Sequence, residues 1–369
     1  MEGFSTFKAD MKDKKRLLFI GFLLAVAITI KLYSISAIRV ENGYSIGFYG
    51  IIVAILRTLL GWLPFSIGDI MYGAAGLWLL YKIVKLVKVA RQKKASLAGF
   101  GKGFLKVLSI LLLLYIVFNV FWGINYNRKG IAYQLNLKMD KYSIEDLKRI
   151  NGLLVAKVNR AKQSLINNKI IYPDTKQMFS KVAASYANID SIYPFLKYKN
   201  PSLKTSMWGW LGNYVGFTGY YNPFTGEAQV NTTVPKFIQP FTACHEVAHQ
   251  LGYAKEMEAN FVGYLAASAS ADTLFQYSVY LDMFLYSNRN LYSSDTASAA
   301  AFANQLLLPV KNDLKQSRDF YRSHKNPVGP LIRWLYGKYL ESNQQPQGEL
   351  SYDEVTSFLI AYYKKFGKI

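Results

Sequence analysis

Three long apolar runs in the first third of the chain, each bounded by lysines or arginines, restrict what it can fold into more than any other feature. A helix that is apolar all round needs a low-dielectric surround, and about 20 such residues match the hydrocarbon thickness of a bilayer. The first run has fourteen uncharged residues from Leu17 to Ile30, behind Lys12, Lys14, Lys15 and Arg16. Lys31 can snorkel to the headgroups, which extends the span to about residues 17–36. No small-residue cleavage pattern followed by polar sequence comes after it, so it reads as an uncleaved span, not a signal peptide. The second span is 67–87, with Lys82, Lys85 and Lys88 in or just beyond its last turns. The third, about 104–123, includes seventeen uncharged residues from Val107 to Gly123 and carries Trp122 at its far end. A further apolar stretch, 46–63, contains Arg57, which is costly at a bilayer centre, so an interfacial or re-entrant helix is expected there. Pro64 should end it, and Ser66 with Asp69, at capping-box spacing, should open the next helix.

Charge supports this division. The chain carries +21 overall, and residues 1–124, with 16 basic and 5 acidic side chains, hold +11 of it. The lysines and arginines cluster before the first span and between the second and third (Lys82 to Lys106, Lys93 and Lys94 included), hugging apolar helices with no folded module around them. A topological label fits that placement better than a nucleic-acid surface, and no nucleic-acid partner is expected. Three spans starting in the cytoplasm end outside it, so a membrane region 1–124 should precede an extracytoplasmic domain 125–369 in a multi-pass cell-membrane protein.

Ser143 with Asp146 forms a capping box ahead of Leu147, Ile150, Leu154, Val158, Ala161 and Leu165, which predicts an amphipathic helix to about Asn167. A shorter helix is expected over Asp174 to Asn188. The Gly-, Tyr- and Asn-rich stretch from Pro201 to Thr233 reads as short strands and turns. Helical pattern resumes after Pro235, with Ser351 and Glu354 opening the last helix. The one cysteine, Cys244, excludes an intrachain disulfide framework and suits buried packing more than nucleophilic chemistry.

Two of the three histidines fall in His245-Glu246-Val247-Ala248-His249, an H-E-x-x-H. Positions four apart on a helix lie about 40° apart around its axis, so both imidazoles leave one face and can share one Zn2+ ion, while Glu246 can reach a water on it as general base. Gly252 can terminate that helix in the left-handed region and turn the chain back. Position 255 is a lysine, so a carboxylate must complete the ligand set. Glu256 shares a helical face with Asn260, which can hydrogen-bond a ligand. Glu258 lies about 200° from Glu256 around a helix, so only one of them can bind the metal. Glu256 is favoured, with Glu258 as a solvent-facing or secondary structural carboxylate.

With these flanks the chain resembles the glutamate-ligand zincin metallopeptidases, and Glu256-Met257-Glu258-Ala259-Asn260 looks like their E-x-E-A-D/N signature. The layout also resembles an uncharacterised bacterial family of three-span membrane proteins with an outward zincin-like domain, through Pro64-Phe65-Ser66-Ile67-Gly68-Asp69, Phe224-Thr225-Gly226-Glu227 and Gly348-Glu349-Leu350-Ser351-Tyr352. The resemblance implies an α-helical membrane region followed by a mainly α, α+β zincin-like domain with a small edge-strand sheet. It implies a zinc metallopeptidase with His245, His249 and Glu256 as ligands and Glu246 as base; for a domain outside the membrane, a peptide or protein of the cell envelope is the expected substrate. In zincins an edge strand pairs with extended substrate, and Gly226 to Asn231 alternates as such a strand does. An ordinary hairpin strand fits equally. His324 and Tyr352 are candidates for the transition-state donor by residue type alone. The rival reading is a zinc- or peptide-binding sensor or scaffold without turnover, which has no need of Glu246 as a base.

Overall fold

A computed structural model describes residues 2–91, 97–343, 345 and 354–369. Lys93, Lys94, Ser351 and Tyr352 lie outside the described residues, and with them the expected cap of the last helix. The chain divides into two compact units, Met1–Tyr49 with Gly68–Arg128, and Gly50–Ile67 with Lys129–Ile369.

The first unit holds α1 (Glu2–Ser34), α2 (Ala37–Arg39) and a π-helical stretch, Val40–Phe48, after which the chain continues as α3 (Tyr49–Leu60), all of which but Tyr49 belongs to the second unit. After these come α4 (Ile67–Arg91) and α5 (Leu97–Phe121). Among the described residues, four segments are long and apolar enough to cross a membrane: Lys14–Ser34, Ala37–Leu60, Ile67–Val89 and Gly103–Phe121. That is one more than the sequence pattern suggested, because the π-helical turns join Ala37 to Leu60 without a break. Arg128 donates from Nη2 and Nε to the two carboxylate oxygens of Glu41, at 2.7 and 2.9 Å, with both side chains almost fully buried. Such a bidentate pair compensates two charges that would be costly alone in an apolar setting.

In the second unit come α6 (Gly130–Gln134), α7 (Ile144–Asn167) and α8 (Thr175–Asp190). Ser143 and Asp146 form a reciprocal capping box on α7, and its six apolar stripe residues are all buried. Next follow β1 (Leu203–Thr205), α9 (Gly209–Val215), β2 (Gly219–Asn222), β3 (Glu227–Val230), α10 (Gln239–Gln250) and α11 (Glu256–Ser268). The remaining helices are α12 (Thr273–Ser294), α13 (Thr296–Asn304), α14 (Leu308–Ser323), α15 (Gly329–Ser342) and α16 (Val355–Phe366). The helix α9 lies within the stretch whose glycines suggested only strands and turns.

The three strands run in the order β1-β3-β2, with β1 parallel and β2 antiparallel to β3. The strand that alternates in sequence, β3, is therefore the centre of the sheet and buried throughout. Its polar side chains are spent on internal bonds. Glu227 accepts from the Ile67 amide and the hydroxyls of Ser66 and Thr225, so it closes the start of α4.

Residues 50–67 are built into this unit. Arg57 is buried with its guanidinium 5.2 Å from the Tyr198 ring, and Gly226 approaches Val53, Leu56 and Arg57. Lys204 donates to the carbonyls of Leu60, Gly61 and Leu63, where α3 ends.

Candidate metal centre

The H-E-x-x-H residues fall on α10, every residue of which is buried. The helix is held from several sides. Tyr186 donates to the Cys244 carbonyl at 2.6 Å. Gln250 donates to the carbonyls of Ser202 and Gly226 and accepts from Tyr198, tying the end of α10 to β1 and to the turn before β3. Cys244 is wholly buried and burial pushes its thiol far up, so it packs and does not react.

The helix stops at Gln250, and Gly252 at φ +86° turns the chain. The amide of Glu256, first residue of α11, donates to Gln345 Oε1 at 2.8 Å. The two helices then cross closely. A Cβ on Gly263 would stand 3.0 Å from the His245 nitrogen, so only glycine allows this approach without displacement.

This crossing brings His245, His249 and Glu256 together with one ligand atom each within 4.8 Å of the others, all buried. Oε2 of Glu256 lies 3.2 Å from Nε2 of His245 and 3.5 Å from Nε2 of His249. Nδ1 of His249 donates to the Tyr253 carbonyl at 2.7 Å, which leaves Nε2 for the shared centre. Asn260 hydrogen-bonds the His245 side chain. Glu258 is elsewhere. Its carboxylate lies where a Cβ on Gly130 would be, and Gly130 has φ +74°. Glu258 is buried, so the expectation that it could face solvent fails.

The donor set, two imidazole nitrogens and a carboxylate oxygen converging in a buried site, fits a Zn2+ ion with a coordination position left for water or substrate. Electrostatics agree. Burial holds His245 below its ordinary value; at His249 burial pulls the same way, but the charge and hydrogen bond of Glu256, the charge of Glu246 and the Tyr253 carbonyl together outweigh it and lift it to about 9. Burial opposes ionisation of Glu256, but the two imidazoles hold its carboxyl well down. A cation among these three groups takes over the role that a proton on His249 plays without it.

Glu246 points differently. Its Oε2 is buried with no hydrogen-bond partner, and burial pushes the carboxyl up to about 8, with the Glu256 charge adding to the rise and His249 opposing it. It lies under β2, where a Cβ on Gly219 would stand 2.7 Å from Oε1. The strand edge at the site is thus β2, not the Gly226 to Asn231 segment.

Two neighbours of the centre carry no sequence signal. Tyr336 on α15 donates to Oε1 of Glu256 at 2.8 Å, and its ring meets Phe217 edge-on. It is one of 28 tyrosines and belongs to no motif. Gln345 is the other, the acceptor for the α11 amide. His324 is not brought to the centre. It ends α14, where Nδ1 donates to the Phe320 carbonyl and its ring packs on Phe320 and Tyr214.

Residues 44–360 match the family model DUF3810, described as a protein of unknown function. The chain belongs to the DUF3810 family. The match runs from within the π-helical stretch into α16, so it takes in the centre of this DUF3810 protein and the helices before it. No curated protein and no solved structure matches the chain.

Proposed function

We propose that this DUF3810 protein is a membrane-anchored, zinc-dependent metallopeptidase that hydrolyses peptide bonds outside the cytoplasm. The observation that carries the reading is the convergence of His245, His249 and Glu256 beside a carboxylate, Glu246, that has an unpartnered buried oxygen. His245, His249 and Glu256 would hold the ion, and zinc when bound supplies the Lewis acidity that activates water and polarises a carbonyl. As the carboxylate, the form that a cation held by the three ligands would favour against the upward push of burial, Glu246 accepts the proton from the attacking water on Oε2 and returns it to the leaving amine. The open edge of β2, which passes over Glu246, offers backbone groups to an extended peptide. Burial around the three ligands excludes bulk water and keeps the charges strong.

The extracytoplasmic placement rests on basic residues before the first span and after the α4 span, which favour the cytoplasm. It also rests on the second unit holding residues 50–67, with Arg57 buried against Tyr198. A helix built into that unit is better read as lying with it than as a fourth crossing.

Metal analysis of the purified full chain should find about one zinc, lost in His249→Ala. Glu246→Gln should keep the metal and lose cleavage of envelope peptides. A wild-type protein without metal sinks the reading, and an unchanged envelope peptide profile in Glu246→Gln leaves only a non-catalytic sensor.

A further inference from the structure

A helix on the surface of a water-soluble domain presents mainly polar residues outward, whereas α15 turns an apolar stripe outward as well as inward. Ile332, Tyr336 and Leu340 face inward, with Leu340 fully buried and Tyr336 on Glu256. The opposite stripe, Leu331, Trp334 and Leu335, is more than half exposed at every position. Neighbouring α9 also turns apolar residues outward, with Gly209 and Asn213 buried while Trp210 and Leu211 stand out.

These two helices are joined rigidly. Asn326 donates to the Tyr214 carbonyl at 2.5 Å, and Asn231 donates to the Gly209 and Phe217 carbonyls at either end of α9. Lys204 on β1, the strand before α9, is bonded to the carbonyls of Leu60, Gly61 and Leu63, and in the segment between α3 and α4 Trp62 is 76% and Phe65 44% exposed. An aromatic pair at the start of a membrane helix marks the headgroup level. Trp62 and Phe65 belong to the same compact unit as α9 and α15, and Arg333 beside Trp334 adds a cation suited to anionic lipid.

We propose that the face formed by the outer stripes of α9 and α15 is seated in the lipid surface, with Trp210 and Trp334 as its anchors. The centre, which α15 touches through Tyr336, then opens beside the bilayer. Its substrates would be chains held at the membrane, such as lipid-anchored or membrane-inserted polypeptides. That last clause rests on the peptidase reading, whereas the docking itself does not.

The test needs no turnover and no metal. Single cysteines at Trp210, Trp334 and the exposed control Arg160, in the full chain with Cys244→Ala, are labelled with a polarity-sensitive fluorophore and reconstituted into phosphatidylglycerol-containing vesicles. Labels at 210 and 334 should be quenched several-fold more than that at 160 by nitroxides on the acyl chains, and shielded from iodide. If Trp334→Cys does not reconstitute, Leu331→Cys reports on the same stripe. Equal iodide access at all sites overturns the proposal. So does shielding from both quenchers, which would mean that protein, a second copy included, covers the face.

Discussion

Tyr336 donates its phenol to Oε1 of Glu256 at 2.8 Å, so the carboxylate that offers Oε2 to two imidazoles is fixed from the other side. Groups that orient a ligand in this way are worth about 10–100-fold in metal affinity. Tyr336→Phe should therefore weaken zinc binding by about that factor, read by competition with a chromophoric chelator. Glu256→Ala should abolish binding, whereas Glu258→Gln, against Gly130, should leave affinity near wild type and lower thermal stability instead. Loss of metal in Glu258→Gln with retention in Glu256→Ala would reverse the ligand assignment.

Gly219 separates binding from chemistry. A Cβ there would meet Oε1 of Glu246 at 2.7 Å, its Cγ at 2.8 Å and Thr242 Cγ2 at 2.9 Å, so Gly219→Ala must push the carboxylate aside. None of the three ligands is among those nearest atoms. We expect zinc content to stay at one per chain while kcat for peptide hydrolysis falls by about 100-fold, in the range of a misplaced general base. Wild-type turnover in Gly219→Ala would remove Glu246 from the mechanism.

The parts legible in sequence are those set by local rules. Spacing in H-E-x-x-H puts two imidazoles on one helix face, Gly252 ends that helix, and Ser143 with Asp146 starts α7. The misjudged parts depend on pairing partners far along the chain. Alternation in Glu227 to Val230 cannot say that two other strands flank it, and the polar side chains that suggested an exposed face are satisfied internally, Glu227 by Ser66 about 160 residues earlier. Arg57 argued against a plain bilayer crossing, but nothing local reveals that Tyr198 receives it. Tyr336 on α15 and Gln345 just beyond that helix come from well after the motif and carry no spacing relation to it.

A pH dependence comes from outside the centre. Burial in α12 pushes the carboxyl of Asp282 up to about 7. An acid whose folded value exceeds its unfolded value of about 4 binds the proton more tightly when folded, so stability falls as pH rises between those two values. Asp282→Asn removes that loss. Its Tm should exceed wild type at pH 8 by a few degrees and match it near pH 4. A variant less stable than wild type at pH 8 would show that the ionised carboxylate has a structural partner.

The last prediction concerns Glu227, which joins the sheet to the first turn of α4. It is fully buried and accepts from the Ile67 amide at 3.1 Å, from Ser66 Oγ at 3.1 Å and from Thr225 Oγ1 at 3.0 Å. Glu227→Ala leaves these three donors facing a void without an acceptor, each at a cost of about 1–3 kcal/mol. Water entering the gap would recover part of this, so a net loss of about 3 kcal/mol is expected. Glu227→Gln keeps an acceptor oxygen and should lose less than half as much. The difference is measurable as two graded decreases in Tm for the detergent-solubilised chain. Because β3 sits beside β2, the Ala variant should also loosen the strand over Glu246 and reduce turnover, with zinc content unchanged. Equal Tm for both variants and wild type would mean that the start of α4 is held by other groups and that the sheet does not feel it.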